Sequence, residues 1–373
     1  MNRWSLFALC ASLIAVEAVR AEDAPAKART LNLPEKPYKY ADVELPPHFQ
    51  AAKRQDNTPR DNPITDAGAT LGRVLFYDTR LSANNTVACA SCHKQQNAFS
   101  DPIRFSKGYE GKDVDRNSMP LVEARFYPRG RFFWDERAAT LEQQVLMPIQ
   151  NKVEMGNDVD KMLTSLANDA DYAALYKKAF GDSKMSKERT AKALAQFVRS
   201  LVSYQSKYDE GVVQVRSRNE PFPNFSREEN RGKDLFMQRC ANCHLPGQQE
   251  AVFFTQNPQN NGLDGDAKVA DLGLADVNFN RFDAGRFKSP SLRNVEFTGP
   301  YMHDGRLKTL EDVVEHYSTG IKNHPNLDGR LRGAVGGFRF RPEEKAALVA
   351  FLKTLSDPKF ISDPKFSDPF QTK

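Results

Sequence analysis

Cys89-Ala90-Ser91-Cys92-His93 and Cys240-Ala241-Asn242-Cys243-His244 are two copies of one pattern, Cys-x-x-Cys-His, and they take up four of the five cysteines in the chain. Two thiols one helical turn apart can add across the two vinyl groups of a porphyrin to form thioethers. The histidine that follows, His93 or His244, then lies under the iron as proximal ligand. The pair reads as two covalent haem c sites. Paired cysteines also build tetrahedral zinc sites, but such pairs seldom both carry an immediate histidine. The fifth cysteine, Cys10, lies in a segment that reads as removable. A thioredoxin-like redox pair is expected beside a βαβ unit, and no such unit is discernible here.

The chain has 373 residues, 40% hydrophobic and 27% charged, enough to bury two cores rather than one. Residues 1–21 read as a secretory signal. Asn2-Arg3 is the basic start, Trp4 to Val16 the apolar run and Val19-Arg20-Ala21 the small-residue cleavage site near Ala21. The run is too short for an integral membrane anchor, and Glu17 interrupts it. Export agrees with covalent haem, which bacteria attach outside the cytoplasm, so the expected compartment is the periplasm. The net charge of +5 is modest and the basic residues are scattered. They form no nucleic-acid stripe, although they could steer an acidic redox partner.

Residues 22–62 form a Pro- and Lys-rich arm, 63–215 the first haem c domain, 216–355 the second, and 356–373 a Pro-rich tail that is either an extended strap or loose. The two domains read as a diverged internal duplication. Gly72-Arg73-Val74-Leu75-Phe76 precedes the first haem motif as Gly232-Lys233-Asp234-Leu235-Phe236 precedes the second. The stretch Phe133 to Glu142 matches Met302 to Glu311 at the interval of 169 residues that separates Trp134 from His303, with Asp, Arg, Thr, Leu and Glu recurring in register. Thr140 and Thr309 are expected helix caps, and Ser226 with Glu229 a capping box. Apolar residues at helical spacing over Val159 to Phe180, Lys187 to Ser203 and Pro342 to Leu355, without a run of alternating strands, make the fold class all-α: two cytochrome-c-like domains.

Function turns on the sixth coordination position of each iron, because a filled position suits electron transfer and an open one can bind peroxide. Leu310, Val313, Val314 and Tyr317 fall at i, i+3, i+4 and i+7, an apolar face ending in a phenol. Tyr317 is the candidate ligand of the second iron, although helix geometry alone favours a plain core tyrosine. Its counterpart at the same interval is Pro148, which cannot ligate, so a Tyr317 that closes the second haem implies an open first one. His316 lies about 100° round the helix from Tyr317 and should be exposed. His303, in the Tyr301-Met302-His303-Asp304-Gly305 turn, fits a propionate contact as well as ligation. His48 and His324 sit among prolines in expected loops.

Taken together, the two haem motifs, Phe132 to Ala138, Gln144 to Glu154, Ser291-Leu292-Arg293-Asn294 and Thr298 to Gly305 resemble the bacterial di-haem cytochrome c peroxidase and MauG family from about Pro63 to Leu355. The resemblance implies a peroxide-binding haem in the N-terminal domain, with Trp134 between the haems and Gln144, Pro148 and Glu154 in the distal pocket of the open one. It further implies a calcium ion at Asn117, Thr298 and Pro300, where amide and carbonyl oxygens suit a hard cation. Tyr317 falls where the peroxidases carry methionine and MauG-type enzymes carry tyrosine. Many of the peroxidases need reduction to release a blocking histidine downstream of the first motif. Here the next histidine after His93 is His244, so the open site should be constitutive.

In the mechanism so implied, Glu154, helped by Gln144, moves a proton between the peroxide oxygens. The oxidising equivalents are then stored across both haems to oxidise a protein or other large donor. The alternative is a cytochrome c peroxidase that removes hydrogen peroxide with electrons from a small cytochrome or cupredoxin; a third reading is a non-enzymatic electron carrier. The MauG comparison has its own limit. MauG-type oxidation of a partner protein uses a surface tryptophan beside the second haem, and loss of Trp4 with the signal leaves only Trp134.

Overall fold

The computed structural model describes residues 29–245, 251–265 and 271–372. The expected signal, its cleavage position near Ala21 and Cys10 lie outside the described residues. The architecture is predominantly helical, and the one sheet among the described residues is an antiparallel pair, β1 (Arg29–Leu31) with β2 (Phe370–Thr372).

Two helix pairs organise two apolar cores. In the first, α1 (Asp66–Tyr77) crosses α2 (Lys187–Ser200) and buries Leu71, Val74, Phe76 and Phe197. In the second, α3 (Arg227–Arg239) crosses α5 (Pro342–Lys353) and buries Phe236, Leu348 and Phe351, with α4 (Leu310–Glu315) packed alongside. Both crossings depend on a glycine. A Cβ on Gly72 would stand 2.0 Å from the Ala193 carbonyl oxygen and 2.8 Å from Phe197 Cβ; a Cβ on Gly232 would stand 1.8 Å from the Ala347 oxygen and 2.8 Å from Phe351 Cβ. Each pair therefore approaches closely enough for backbone to meet backbone.

Local geometry repeats along with the crossings. The bridge Phe132↔Ala138 recurs as Tyr301↔Leu307, and the left-handed backbone of Phe133 (φ 70°) recurs at Met302 (φ 74°). Thr140 Oγ1 accepts from the Gln143 amide, and Thr309 Oγ1 from that of Asp312. The Ser226–Glu229 capping box forms in both directions.

The apolar stretch over Val159 to Phe180 is two helices rather than one, Val159–Leu166 and Ala170–Phe180. Asp169 interrupts it by capping the second helix. The described part of the arm carries two short helical turns, Pro47–Phe49 and Gln50–Lys53, and puts Tyr40 in the first core and Phe49 in a third cluster. The tail is a strap: it leaves the second core and lies on the first. Phe360 and Phe366 are buried there, and the Tyr40 and Tyr77 hydroxyls donate to the Lys365 and Phe366 carbonyls, each at 2.7 Å. Arg73 Nε holds the Ser367 carbonyl at 2.7 Å.

Candidate functional site: two haem-attachment turns

Each Cys-x-x-Cys-His forms a short helical turn at the end of its helix pair, Cys89–Cys92 and Ala241–His244. His93 Nδ1 lies 2.9 Å from the Phe99 carbonyl oxygen. That carbonyl is aimed back by two left-handed residues, Ala98 (φ 49°) and Phe99 (φ 60°). A Nδ1–H donated to a carbonyl leaves Nε2 as the lone pair for iron, and burial holds the imidazole below its ordinary pKa, hence neutral. At the second turn the Phe253 backbone, again left-handed (φ 56°), partly offsets burial that pushes His244 down to about 4, although no hydrogen bond closes at Nδ1.

Burial pushes the Cys89 and Cys240 thiols up to about 12. Thiol–disulfide exchange needs the opposite, a thiolate in an electropositive site. Among the described residues, His, Cys, Asp and Glu nowhere gather in threes able to hold a metal. Burial, neutral imidazoles and paired thiols fit haem c at both turns.

The second turn opens onto a large, mostly apolar cavity lined by Cys240, Cys243, His244 and, from α4 and its extension, Leu310, Val313, Val314 and Tyr317. The expected apolar face is therefore the cavity face, and Tyr317 stands on it with its hydroxyl pushed up to about 12, chiefly by burial. His316 corrects the sequence reading: it is 8% exposed, not solvent-facing. After Glu315 the helix widens into a π turn, His316–Gly320. The Tyr317 and Ser318 carbonyls there accept from the Phe338 and Arg339 amides instead of continuing the helix. Asn261 covers that side, its carbonyl 3.2 Å from His316 Nε2. The Asn261 side chain also lowers the Tyr317 pKa by hydrogen bonding and reaches Met302 Sδ at 3.4 Å. Sequence reasoning missed Asn261, since only the fold brings it to Tyr317.

Trp134, 9% exposed, lines the same cavity although it belongs to the first half. Its indole N–H donates to the Asn117 carbonyl at 2.8 Å, and its own carbonyl accepts from the Lys288 amide at 2.7 Å. Asn117, Thr298 and Pro300 line this cavity too. The Asn117 side-chain N–H groups go to the Ile103 and Arg104 carbonyls, which leaves its amide oxygen for another partner. His303 is buried, stacked on Phe287 at 3.7 Å between ring centres, and edge-on to Trp134 at 6.5 Å. His48 pairs with the distant Asp209 at 2.7 Å, and His324 accepts the Asn326 amide two residues on.

On the first side, Glu154 stands in a turn and is half-buried. Its charge raises the pKa of both Cys89 and Cys92, after the larger effect of burial. Burial raises its pKa and the Arg137 guanidinium opposes that rise. Arg137 is itself held by Asp135 and lies over the Phe133 ring at 3.6 Å. Gln144 and Pro148 sit half-buried on two successive short helical turns, Leu141–Gln144 and Met147–Gln150, just ahead of Glu154.

Comparison with known proteins shows the family. The family model for di-haem cytochrome c peroxidase matches residues 66–216, and that for cytochrome c matches residues 229–356. The methylamine utilization protein MauG of Methylorubrum extorquens is 32% identical over 312 residues, 82% of this chain and 83% of its own. The chain belongs to the di-haem cytochrome c peroxidase and MauG family. It is a haem-dependent oxidoreductase of the peroxidase type, carrying covalently bound haem c. The cytochrome c551 peroxidase of Nitrosomonas europaea is 31% identical over 299 residues, 77% of this chain and 79% of that one. A solved MauG-like protein associated with microbial copper homeostasis superposes with a TM-score of 0.76 at 31% identity, over 88% of this chain and 99% of that one. No described helix is long and apolar enough to cross a membrane.

Proposed function

We propose that this family member acts in the periplasm in the MauG manner: it activates hydrogen peroxide at the haem of Cys89, Cys92 and His93, and holds the oxidising equivalents across both haems until a protein or another large donor is oxidised. The observation that carries the reading is Tyr317, a phenol that lines the same cavity as His244, where a methionine would suit an electron-input haem. Haem, when bound, supplies the redox chemistry; the chain supplies ligands, proton transfer and exclusion of water. His93 and His244 would hold the irons of the two haems from one side, and Tyr317 would supply a phenol oxygen to the second. Pro148, at the position matching Tyr317, offers no donor atom and keeps the first site open.

The Glu154 carboxylate takes the proton from the inner oxygen of peroxide and returns it to the outer one, with the Gln144 amide orienting the molecule. Partial burial suits a carboxyl to this exchange, because it brings the group closer to the working pH. Trp134, whose orientation Asn117 and Lys288 hold, would relay electrons between the two sites. Calcium at the Asn117 amide oxygen and the Thr298 and Pro300 carbonyls would brace that route, and the shared cavity wall and the committed Asn117 N–H groups support it. The repeated glycine crossings, bridges and caps support descent of the two halves from one duplicated unit.

The test is addition of hydrogen peroxide to the resting ferric protein under anaerobic conditions. A rapid two-electron spectral change without prior reduction is expected. A requirement for half-reduction favours the second reading, a cytochrome c peroxidase fed by a small redox protein, a name that several relatives bear. Inertness at both haems leaves the electron-carrier reading. Tyr317→Phe should keep both haems attached and lose the stored oxidised state.

A further inference from the structure

Lys288 is a buried cation without an anionic partner among the described residues. It is 5% exposed. Its ammonium lies 4.5 Å from the centre of the Tyr127 ring, 5.5 Å from that of Phe254 and 3.2 Å from Met119 Sδ. The carboxylate whose field it feels, Glu136, is already committed to the Tyr127 hydroxyl at 2.5 Å and to Arg129 at 2.8 Å. The other buried lysine, Lys233, shows the usual solution: its ammonium donates to the Arg218 and Glu220 carbonyls and has Asp234 at 3.6 Å. Aromatic faces and a thioether soften the burial of Lys288 but do not neutralise it, and an ammonium held this way is expensive unless paired.

The residue also lines the cavity of Cys240, Cys243 and His244. Haem c brings two carboxylates into such a cavity, on the propionate edge away from the thioethers. Arg239, which also lines the cavity, adjoins Cys240 and so belongs to the thioether edge. We propose that the Lys288 ammonium is the counter-ion of a propionate of the second haem and fixes that edge of the ring beside the Trp134 carbonyl, which the Lys288 amide already holds. The assignment rests on haem attachment at the second motif and is independent of peroxide activation and of Tyr317 ligation. Burial without a partner pushes the Lys288 side chain down to about 8, and a propionate restores its charge across the neutral range.

The experiment is redox titration of the holoprotein and of Lys288→Met and Lys288→Arg as a function of pH, with haem content measured by pyridine haemochrome. In Lys288→Met, loss of the cation lowers the potential of the second haem. The unpaired carboxylate then takes up a proton near neutral pH, so the potential falls further as pH rises, whereas wild type is flat over the same window. Lys288→Arg retains wild-type behaviour. A Lys288→Met protein that carries both haems with unchanged potential and unchanged pH profile overturns the assignment. Should Lys288→Met not fold, an experimental structure of the wild-type holoprotein decides: the ammonium within about 4 Å of a propionate oxygen supports the pair. An ammonium still enclosed by Met119, Tyr127 and Phe254, with both propionates elsewhere, overturns it.

Discussion

Glu154 and Glu123 are both carboxyls with raised pKa values, and their surroundings give them different consequences. Glu154 is near the first haem thiols and balanced by Arg137. Its replacement by Gln is expected to slow the reaction with peroxide by roughly 10²–10⁴-fold in stopped-flow measurements while both haems remain attached. The wild-type rate should rise with pH through a pKa above that of an ordinary glutamate, and the variant should lose that limb. Glu123 is fully buried between the two cores and pushed up to about 8, first by burial and then by Asp209 and Asp357, against the pull of Arg293. Arg293 is already bound by Asp209 on both of its terminal nitrogens, and His48 braces Asp209 from the other side. A carboxyl whose pKa is raised on folding favours the native state below its unfolded pKa, near 4.5, and that contribution disappears as pH climbs towards 8. Denaturation of wild type and Glu123→Gln between pH 5 and 8 should therefore diverge, wild type losing roughly 1.4 kcal/mol for each pH unit of the shift crossed. Parallel curves would show that Arg293 keeps Glu123 ionised throughout.

At the scale of elements, the glycine crossings reverse an ordinary expectation. Gly→Ala inside an exposed helix stabilises by about 0.5–1 kcal/mol, but at Gly72 and Gly232 the new methyl meets a carbonyl oxygen of the partner helix. Gly232→Ala should cost about 1–3 kcal/mol through overpacking, read from thermal melts, with Gly72→Ala behaving alike in the first core. The helix that carries Tyr317 has a second vulnerable point. Thr309→Ala removes its cap and should cost about 0.5–2 kcal/mol, loosening the Tyr317 segment ahead of global unfolding in hydrogen exchange. The π turn that follows explains why a regular-helix projection misplaced His316: backbone partners in the Phe338–Arg339 loop change the pitch at the point where the prediction was needed.

For the whole molecule, the strap is the feature that ties the halves together. It starts beside the second core and delivers Phe360 and Phe366 to the first, where Phe99 meets both rings within 6.3 Å. Truncation after Asp357 should lower the melting temperature of the half that holds the first haem more than that of the second, measured from the two haem absorption signals. Phe360→Ala alone should cost about 3–5 kcal/mol. Equal effects on both halves would mean that the cores unfold as one unit.

What the sequence determined by itself was chemistry carried by near neighbours: thiols and histidine within one turn, caps three residues from their amides, and the apolar stripe that ends at Tyr317. Spacing is enough for these, because helix geometry relates residues a few positions apart. The roles of Glu154 and of Asn117, Thr298 and Pro300 rest on resemblance; the fold adds only that the last three line one cavity. Tertiary structure alone decided the burial of His316, the reach of Asn261 to Tyr317, the strap across the first core and the burial of Lys288 against Met119, Tyr127 and Phe254. Each of these depends on segments distant in sequence meeting in space. Whether a charge is covered, and by what, is a property of that meeting and not of the residue.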